Sequence, residues 1–542
     1  MAATHTVTNQ VPPLVDHDVA EDPALLAGLH EQGAGWAEAE VHELGRLAGG
    51  GQAQEWGRQA NENPPRLHTH DRYGYRVDEV EYHPAYHQLM TVAVEHGLHA
   101  TPWRDERPAA HVARAAKFYT WAQVEAGHGC PISMTYAVVP ALRHHPELSA
   151  RLEPLLAATS YDPGLRVPDT KRGLTAGMSM TEKQGGSDVR ANSTRAVPQA
   201  DGSYLLTGHK WFTSAPMCDV FLVLAQAPAG LSCFLLPRVL ADGSRNRMHL
   251  QRLKDKLGNK SNASSEVEYD EAVAWLVGEE GAGVRTIIQM VNMTRLDCVI
   301  AGAAGMRVGL TKAAHHAAHR TAFGSYLADT PLMGNVLADL AVESEAATTV
   351  AMRLAGATDR AAAGDESEAA FRRLALAVSK YWVCKRTATH AAEALECLGG
   401  NGYVEDSGMP RLYREAPLIS IWEGSGNVAA LDVLRAMVSS PASVDAFLTE
   451  LDAAAGADRR LDDAVARLRA ELAAGPDQAA ARRIVERMAL ALQGALLVRH
   501  GHPAVADAFC ASRLGGDWGQ AFGTLPTGVD TKAILARAVP GR

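Results

Sequence analysis

The sequence predicts an α+β protein in which mainly helical segments flank a β-rich segment. Three observations support this prediction. Apolar residues recur at three- and four-residue spacing on both sides of residues 177–283, and short β-rich runs separated by Asp-Gly turns fill that stretch. The sequence also lacks repeated strand–helix alternation and a Gly-x-Gly-x-x-Gly turn after a strand, which argues against a Rossmann domain.

Residues 1–176 form the first predicted domain, which is expected to be mostly helical. Helical spacing runs through residues 37–47 and through the Ala-rich residues 109–127, whose pattern indicates a helix that faces a core. The glycines at 49–51 and the prolines at 64–65 mark loops in this domain.

Residues 177–283 form the second predicted domain, a small β-domain. Its β-rich runs alternate or are continuously apolar, and turn residues such as Asp201-Gly202 separate them. The predicted strands include 204–207, 220–224, 233–236 and the alternating segment around Val267 and Tyr269.

Two further helical regions complete the chain. Residues 284–440 form a predicted helical bundle, and residues 441–542 form a helical C-terminal extension. Helices are predicted over 284–320, 330–363, 368–398 and 480–499. Gly399-Gly400 ends the third of these helices, because glycine is the usual residue after a helix C-terminus.

Composition and charge restrict the classes of function. With 542 residues, 47% of them hydrophobic and 21% charged, the chain is long enough to bury several cores. The net charge of −10 disfavours a general electrostatic grip on DNA phosphates. Aromatic residues make up only 6%, which does not indicate a surface for stacking nucleic-acid bases.

Cysteine usage and the N-terminal sequence predict a cytoplasmic protein. The seven cysteines are scattered without a Cys-x-x-Cys pair, which indicates reduced thiols rather than disulfides or a zinc site. No signal peptide and no apolar run of ~18 residues is present. The pairs His68/His70 and His144/His145 lack suitably spaced acidic or cysteine partners, so no metal site is predicted.

Four segments concentrate glycine, hydroxyl and charged residues beside aromatic residues. They are residues 178–188 (MSMTEKQGGSD), 208–214 (GHKWFTS), 398–403 (LGGNGY) and 421–427 (IWEGSGN). Glycines let a ligand approach the backbone, hydroxyls bond its edge and aromatics cover a ring. Taken singly, the segments are better explained as a surface turn, a core strand leaving its sheet, a helix C-cap and a loop with a solvated glutamate.

Glu423 lies in the last of these segments, between Trp422 and Gly424, after a mostly apolar stretch. If buried there, its carboxylate would act as a base near neutral pH, because burial disfavours the charged form. A solvated surface glutamate is the alternative.

Together, in this order and at these separations, the segments resemble the acyl-CoA dehydrogenase flavoprotein family, and within it the AidB-like subgroup of adaptive-response (alkylation-response) proteins. The strings MTEKQGGSDV, GHKWF, RLKDKLGNKSNASSEVE and IWEGSGN carry the resemblance. It spans about residues 100–440 for the family and most of the chain for the subgroup. It implies an acyl-CoA dehydrogenase-like fold with an N-terminal helical domain, a central β-barrel and a C-terminal four-helix bundle. It also implies FAD between barrel and bundle, and a homotetramer.

The resemblance also implies the residues that bind FAD. Those expected at the flavin ring are Met178, Met180 and Thr181, with Ser187 at the pyrophosphate, Phe212 in the place of a usual Trp, and Ser214 as the hydroxyl that accompanies it. Those expected at the FAD of a neighbouring subunit are Arg320 and Phe323, with Glu396, Gly399 and Gly400 as a second such contact. Ser425 and Asn427 are expected to touch FAD from the other side.

Glu423 stands where many family members carry the catalytic base. The chemistry implied is α-proton removal from an acyl-CoA thioester with β-hydride transfer to flavin N5. Some members place the base before an arginine on the first bundle helix, but here Thr294 precedes Arg295. Departures from the family pattern at Lys183 and Pro331, where the family often has Pro and Gln, predict weak acyl-CoA turnover more than weak FAD binding.

The C-terminal extension raises a second function, because AidB-like proteins are associated with DNA binding through a basic C-terminal region. Residues 441–542 hold 12 basic and 12 acidic residues, so this extension is neutral. Arg482, Arg483, Arg487 and Arg499 lie on one predicted helix, where they form either a phosphate-binding patch or a salt-bridged solvated face. Two functions stay open: an acyl-CoA dehydrogenase, and a DNA-associated protective flavoprotein with vestigial activity.

Overall fold

A computed structural model describes residues 4–475 and 477–538, and these residues form two compact units. One unit holds the described residues of 1–51, 107–123 and 298–542, and the other holds 52–106 and 124–297. The domain boundaries predicted after residues 176, 283 and 440 stay predictions. Pro476 and residues 539–542 of the predicted C-terminal extension lie outside the described residues.

The helices lie in the order α1 (Pro23–Glu31), α2 (Glu38–Gly49), α3 (Gly51–Glu62), α4 (Pro84–Glu95), α5 (Thr101–Arg104), α6 (Ala110–Ala122), α7 (Gly129–Leu142), α8 (Pro146–Leu156), α9 (Gly283–His319), α10 (Pro331–Ala362), α11 (Glu366–Glu396), α12 (Met409–Glu415), α13 (Gly426–Ser439), α14 (Pro441–Asp452), α15 (Arg459–Ala473), α16 (Ala481–His500), α17 (Pro503–Phe509) and α18 (Thr531–Leu535). The strands are β1 (Arg66–His70), β2 (Arg76–Glu81), β3 (Ala176–Ser179), β4 (Arg195–Pro198), β5 (Tyr204–Ser214), β6 (Val220–Ala227), β7 (Gly230–Pro237), β8 (Met248–Leu253), β9 (Ser264–Val277), β10 (Thr321–Ala322) and β11 (Ser325–Tyr326).

The unit of residues 52–106 and 124–297 is built around a seven-stranded sheet. Its strands run in the order β3-β6-β4-β5-β9-β7, β8 pairs with β9, and pairing of β6 with β7 closes the sheet into a barrel. Strand β6 is buried along Val220–Ala225, which explains why its sequence is a continuous apolar run rather than an alternating one. The predicted β-domain is therefore present as a barrel.

A hairpin of β1 and β2 interrupts the region predicted to be mostly helical. The two strands pair antiparallel, with Leu67 opposite Val80. Strand β1 has no fully buried residue, so its sequence lacks the apolar alternation that would have revealed it.

The other unit is a helical bundle centred on α10 and α11. Both helices begin and end within two residues of their predicted bounds. Helix α11 begins at the side chain of Asp365, which accepts a hydrogen bond from the Glu368 N–H at 3.0 Å. It ends at Glu396, and Gly399, three residues later, adopts φ +59°, the left-handed conformation that glycine favours.

The C-terminal extension packs on α10 through buried charges. The Arg513 guanidinium lies 2.5 Å from Asp339 Oδ1 and 3.1 Å from Glu343 Oε2, and all three side chains are buried. Asp339 Oδ2 also accepts a hydrogen bond from the Gly523 N–H at 2.9 Å. These bonds attach the segment after α17 to the N-terminal half of α10.

Two negative findings apply to residues 4–475 and 477–538. None of their helices combines the length and apolar character needed to cross a bilayer. No three or more His, Cys, Asp or Glu side chains are grouped so that they could hold a metal ion.

Candidate active site

Four predicted flavin contacts lie on or directly beside β3 and β5 of the barrel. Ser179 of β3 and Thr213 of β5 point into the barrel, where their hydroxyl oxygens lie 2.5 Å apart. Because side chains alternate along a strand, Met178 on β3, and Phe212 and Ser214 on β5, face away from the interior, and Met180 directly follows β3. Met178, Met180 and Ser214 are half-buried, and 49% of Phe212 is exposed. The barrel thus presents two thioethers and an aromatic ring beside a hydroxyl.

The loop after β3 carries Thr181 and Ser187 and is tied to β5. The Trp211 N–H donates to the Thr181 carbonyl oxygen at 2.8 Å, and the Lys183 N–H donates to His209 Nε2 at 3.0 Å. A Cβ at Gly186 would lie 2.4 Å from Thr181 Oγ1, so this position requires glycine. Residues 183–188 are exposed, and Thr181 is half-buried at the start of the loop.

The buried carboxylate of Glu182 holds this loop in place through several hydrogen bonds. Its carboxylate accepts hydrogen bonds from Lys210 Nζ at 2.8 Å and from the Ser193 N–H and hydroxyl at 2.7 and 2.8 Å. Burial alone would raise the pKa of Glu182, but Lys210 and the donors of Ser193 and Thr194 hold it well below its usual range. An ionised carboxylate therefore fixes the first turn of the candidate flavin loop.

In the bundle unit, Arg320 and Phe323 lie at the small hairpin of β10 and β11. Phe323 adopts φ +52° and its side chain is fully exposed. Arg320 Nη1 donates to the Asn9 carbonyl oxygen at 2.5 Å, while Asn9 Oδ1 accepts from the Thr321 N–H at 2.8 Å. Asn9 Nδ2 donates back to the Thr321 carbonyl oxygen at 2.9 Å. The N-terminal arm thus clamps the segment that carries Arg320.

Glu396, Gly399 and Gly400 lie together at the exposed end of α11. A Cβ at Gly399 or Gly400 would meet no atom within 4 Å among the described residues. Another molecule can therefore approach the backbone closely here, as the predicted contact with a cofactor requires.

Glu423 lies in a tight turn before α13. It is half-buried and adopts φ +56°, and the next residue, Gly424, adopts φ +103°. A left-handed conformation costs a glutamate ~1–3 kcal/mol, and such strain is concentrated at functional sites. Phe323 and Glu423, two predicted site residues, both carry this strain.

Ser425 and Asn427 flank the first residue of α13. Ser425 precedes the helix without capping it through its side chain. Asn427 is exposed, and its Oδ1 accepts from Arg482 Nε at 2.8 Å. Glu423, Ser425 and Asn427 thus lie within one turn of chain.

Most of the candidate phosphate-binding arginines of α16 are paired with carboxylates. Arg483 and Arg487 both contact Glu471, at 3.0 and 2.6 Å, and Arg499 lies 3.0 Å from Glu450. These pairs favour the salt-bridged helix face over an open phosphate patch, and Arg482 is the member bonded to a neutral amide instead.

Sequence reasoning missed Asn9 and Lys380. Lys380, in the middle of α11, is 1% exposed and donates to the carbonyl oxygens of Ser420 and Gly424. A lysine inside the apolar run ALAVSKYWVC was a signal for a buried, bonded cation, since lysine is rarely buried otherwise. No comparable feature of the sequence indicated that Asn9 bonds to Arg320 and Thr321.

Three family models match the chain. The adaptive response protein AidB N-terminal domain matches residues 9–163, the acyl-CoA dehydrogenase middle domain matches 177–272 and the acyl-CoA dehydrogenase C-terminal domain matches 281–438. An Escherichia coli K12 protein named "Putative acyl-CoA dehydrogenase AidB" is 46% identical over 513 residues, which are 94% of each chain. The chain belongs to the acyl-CoA dehydrogenase family. Its resemblance to the AidB-like subgroup is thereby confirmed.

Other relatives agree with this assignment. Acyl-CoA dehydrogenase family member 11 of Caenorhabditis elegans is 34% identical over 400 residues, 71% of this chain and 64% of that one. The crystal structure of Caenorhabditis elegans ACDH-11 in complex with C11-CoA has a TM-score of 0.85 at 27% identity, covering 100% of this chain and 95% of that one. The apo form of Bd2924 has a TM-score of 0.84 at 30% identity, covering 92% and 100%.

Family membership confirms the predicted fold, the enzyme class and the cofactor. The fold is that of acyl-CoA dehydrogenases, and the enzyme class is FAD-dependent oxidoreduction of CH–CH groups. The barrel face fits a flavin, because thioethers and an aromatic ring line it and hydroxyls border it. The individual FAD contacts and the role of Glu423 stay predictions.

Proposed function

We propose that this chain is an AidB-like acyl-CoA dehydrogenase that oxidises an acyl-CoA thioester between its α and β carbons, with Glu423 as the base. The main observation in favour of the proposal is the strained turn of Glu423, directly before α13. A carboxylate fixed there takes the α-proton. FAD, when bound, accepts the β-hydrogen with its electron pair, so that an enoyl-CoA and reduced flavin result.

The barrel residues serve the cofactor in this proposal. Met178, Met180 and Thr181 contact the flavin ring, Phe212 covers it beside Ser214, and Ser187 bonds the pyrophosphate. The outward-facing positions on β3 and β5, and the attachment of the loop through Glu182, support these roles. In the bundle, Ser425 and Asn427 are the proposed FAD contacts beside Glu423.

A homotetramer belongs to the same proposal, with one FAD held by two chains. Arg320, Phe323, Glu396, Gly399 and Gly400 would reach the FAD of a neighbouring subunit. Phe323 supports this, because a fully exposed phenylalanine in a strained conformation is costly unless another molecule covers it. The free cysteines fit the proposed cytoplasmic location.

Anaerobic bleaching of the flavin by a panel of acyl-CoA thioesters tests the proposal. We expect at least one of them to bleach the wild-type holoprotein and Glu423→Gln to slow bleaching by about 10³-fold or more, the loss expected for a catalytic base. Glu271→Gln is the matched control, because Glu271 also adopts a left-handed conformation, at φ +54°, on the exposed barrel surface. Bleaching at the wild-type rate by Glu423→Gln would refute the assignment of the base.

The second candidate function is a DNA-associated protective flavoprotein of the alkylation response. The match of residues 9–163 to the adaptive response protein AidB N-terminal domain favours it. The carboxylate pairs of Arg483, Arg487 and Arg499 weigh against a strong phosphate patch. The test is retention of duplex DNA across a salt series, with Arg482→Ala. Salt-sensitive retention without bleaching by any acyl-CoA would favour this function, and lack of retention near physiological salt would exclude it.

A further inference from the structure

Lys380 is a buried cation whose ammonium donates hydrogen bonds to one turn of chain. It lies in the middle of α11 at 1% exposure, between Leu376 and Cys384, which are also buried. A buried ammonium is costly unless hydrogen bonds replace its lost water. The acceptors of those hydrogen bonds therefore indicate what the lysine does.

Lys380 donates hydrogen bonds to the main chain on both sides of Glu423. Its Nζ donates to the Ser420 carbonyl oxygen at 3.4 Å, three residues before Glu423, and to the Gly424 carbonyl oxygen directly after it. Ser420 ends a 3₁₀ turn and Gly424 precedes α13, so neither carbonyl belongs to a regular helix. One ammonium thus bonds both ends of the strained segment.

The geometry points to Lys380 as the positioning residue of Glu423. We propose that its ammonium holds the turn of residues 420–424 in the left-handed conformation that aims the Glu423 carboxylate. The inference rests on the proposed role of Glu423 as the base. Without the ammonium, the carbonyl groups of Ser420 and Gly424 lose a hydrogen-bond donor. The strained conformation of Glu423, at φ +56°, is then no longer stabilised by these bonds.

Other charged groups surround the start of α13. The Nζ of Lys385 and the Nη2 of Arg482 lie 3.4 and 3.6 Å from the position that a Cβ would take at Gly426. Burial lowers the pKa of Lys385, and the charges of Arg482 and Lys380 lower it further. Cys384, one turn after Lys380, stays a neutral thiol, since burial raises its pKa to about 11. Two further cations, Lys385 and Arg482, thus lie beside the start of α13, and Glu486 lies near Arg482 on the side of Tyr381.

The experiment compares Lys380→Met and Lys380→Arg with the wild-type holoprotein. The matched control is Lys312→Met, because Lys312 is another lysine of the bundle unit that donates to a loop carbonyl, that of Ser407, at 2.9 Å. Two properties are measured: hydrogen exchange of the peptide 418–426, and the pH dependence of flavin bleaching by an acyl-CoA.

For Lys380→Met we expect exchange in 418–426 to become about tenfold faster or more, since local opening is no longer opposed. We expect bleaching to slow by about 10²-fold, the loss that misplacement of a reacting group produces. In the pH profile of flavin bleaching, the loss of rate in acid should begin about 1 pH unit higher, because removing a cation favours the protonated carboxyl. Lys380→Arg should keep the acid limb of the bleaching profile at its wild-type pH and should keep part of the bleaching rate. Lys312→Met should leave both the exchange of 418–426 and the bleaching at wild-type values.

Three results would overturn the inference: wild-type exchange in Lys380→Met, equal effects in Lys312→Met, or an acid limb that does not move. The exchange measurement separates this inference from the proposed function. If Glu423→Gln bleaches normally, the base assignment fails, whereas faster exchange confined to 418–426 in Lys380→Met still shows that Lys380 holds the turn. If Lys380→Met does not fold, Lys380→Arg decides, because a displaced guanidinium should still accelerate exchange in this peptide alone.

Discussion

Glu182 and Lys210 form an ion pair inside the barrel, with Oε1 and Nζ 2.8 Å apart and neither side chain exposed. The pair joins the loop that carries Thr181 and Ser187 to the strand that carries Phe212 and Ser214. Lys210 also donates to the Leu224 carbonyl oxygen at 2.7 Å, which adds β6 to the connection. The candidate flavin surface therefore rests on one buried pair of charges.

Glu182→Gln and Lys210→Met should each destabilise the protein by about 3–5 kcal/mol, because each leaves one buried charge without its partner. The double variant should lose less than the sum of the two, since no unpaired charge remains. Urea unfolding measures the losses, and the ratio of flavin to protein absorbance measures FAD retention. Glu268→Gln, at an exposed position of the barrel, is the control. Additive losses in the double variant would contradict coupling.

Acid should weaken the barrel unit through Glu125. Burial alone would raise the pKa of this carboxyl, but hydrogen bonds and charge from His128, with a bond from Ser261, lower it to about 2. A depressed pKa contributes stability above the ordinary value of 4.5, and this contribution is lost as the pH falls toward 2. At pH 7 it amounts to about 3 kcal/mol.

Urea unfolding of Glu125→Gln and wild type at several pH values tests this expectation. The difference between the two proteins should be largest above pH 5 and should shrink steadily in acid. Glu95→Gln, at an exposed position, should unfold like the wild type throughout. A difference that stays constant with pH would contradict the assigned role of Glu125.

Asn9→Ala should loosen the segment that carries Arg320. The substitution removes the bonds between the Asn9 side chain and both the N–H and the C=O of Thr321. We expect about tenfold weaker FAD retention if Arg320 contacts the cofactor, because a mobile side chain loses entropy on binding. Gel filtration followed by the flavin absorbance ratio measures retention. Gln10→Ala, in the adjacent exposed position, should retain FAD normally, and equal retention by both variants would refute the clamp.

Arg513→Met should release the C-terminal segment from α10. The change leaves Asp339 without its guanidinium and Glu343 with Arg386 alone. We expect a loss of about 3–5 kcal/mol in the free energy of unfolding, together with faster proteolysis after residue 514. Arg459→Met, whose side chain is 93% exposed, is the control. A cleavage rate equal to that of the control would show that other contacts hold the segment.

Periodicity in the sequence predicted the long elements well. Helices α9, α10 and α11 each repeat their apolar spacing over many turns, so their bounds were predicted within two residues. The hairpin of β1 and β2 was missed, because its exposed strands carry no burial pattern. Local motifs mark the candidate site segments, because their glycines and hydroxyls stand close together in the sequence, and the roles of these residues stay predictions.

The sequence by itself determined the family, the fold class and the candidate loops, because those depend on patterns that neighbouring residues form along the chain. Only the tertiary structure decided that Asn9 clamps Arg320 and Thr321 across more than 300 residues, and that Lys380 bonds both sides of Glu423. The physical reason is that hydrogen-bond partners of buried or strained groups are set by packing between distant segments. A sequence pattern shows that a lysine is buried, but only the fold shows which carbonyl oxygens it meets.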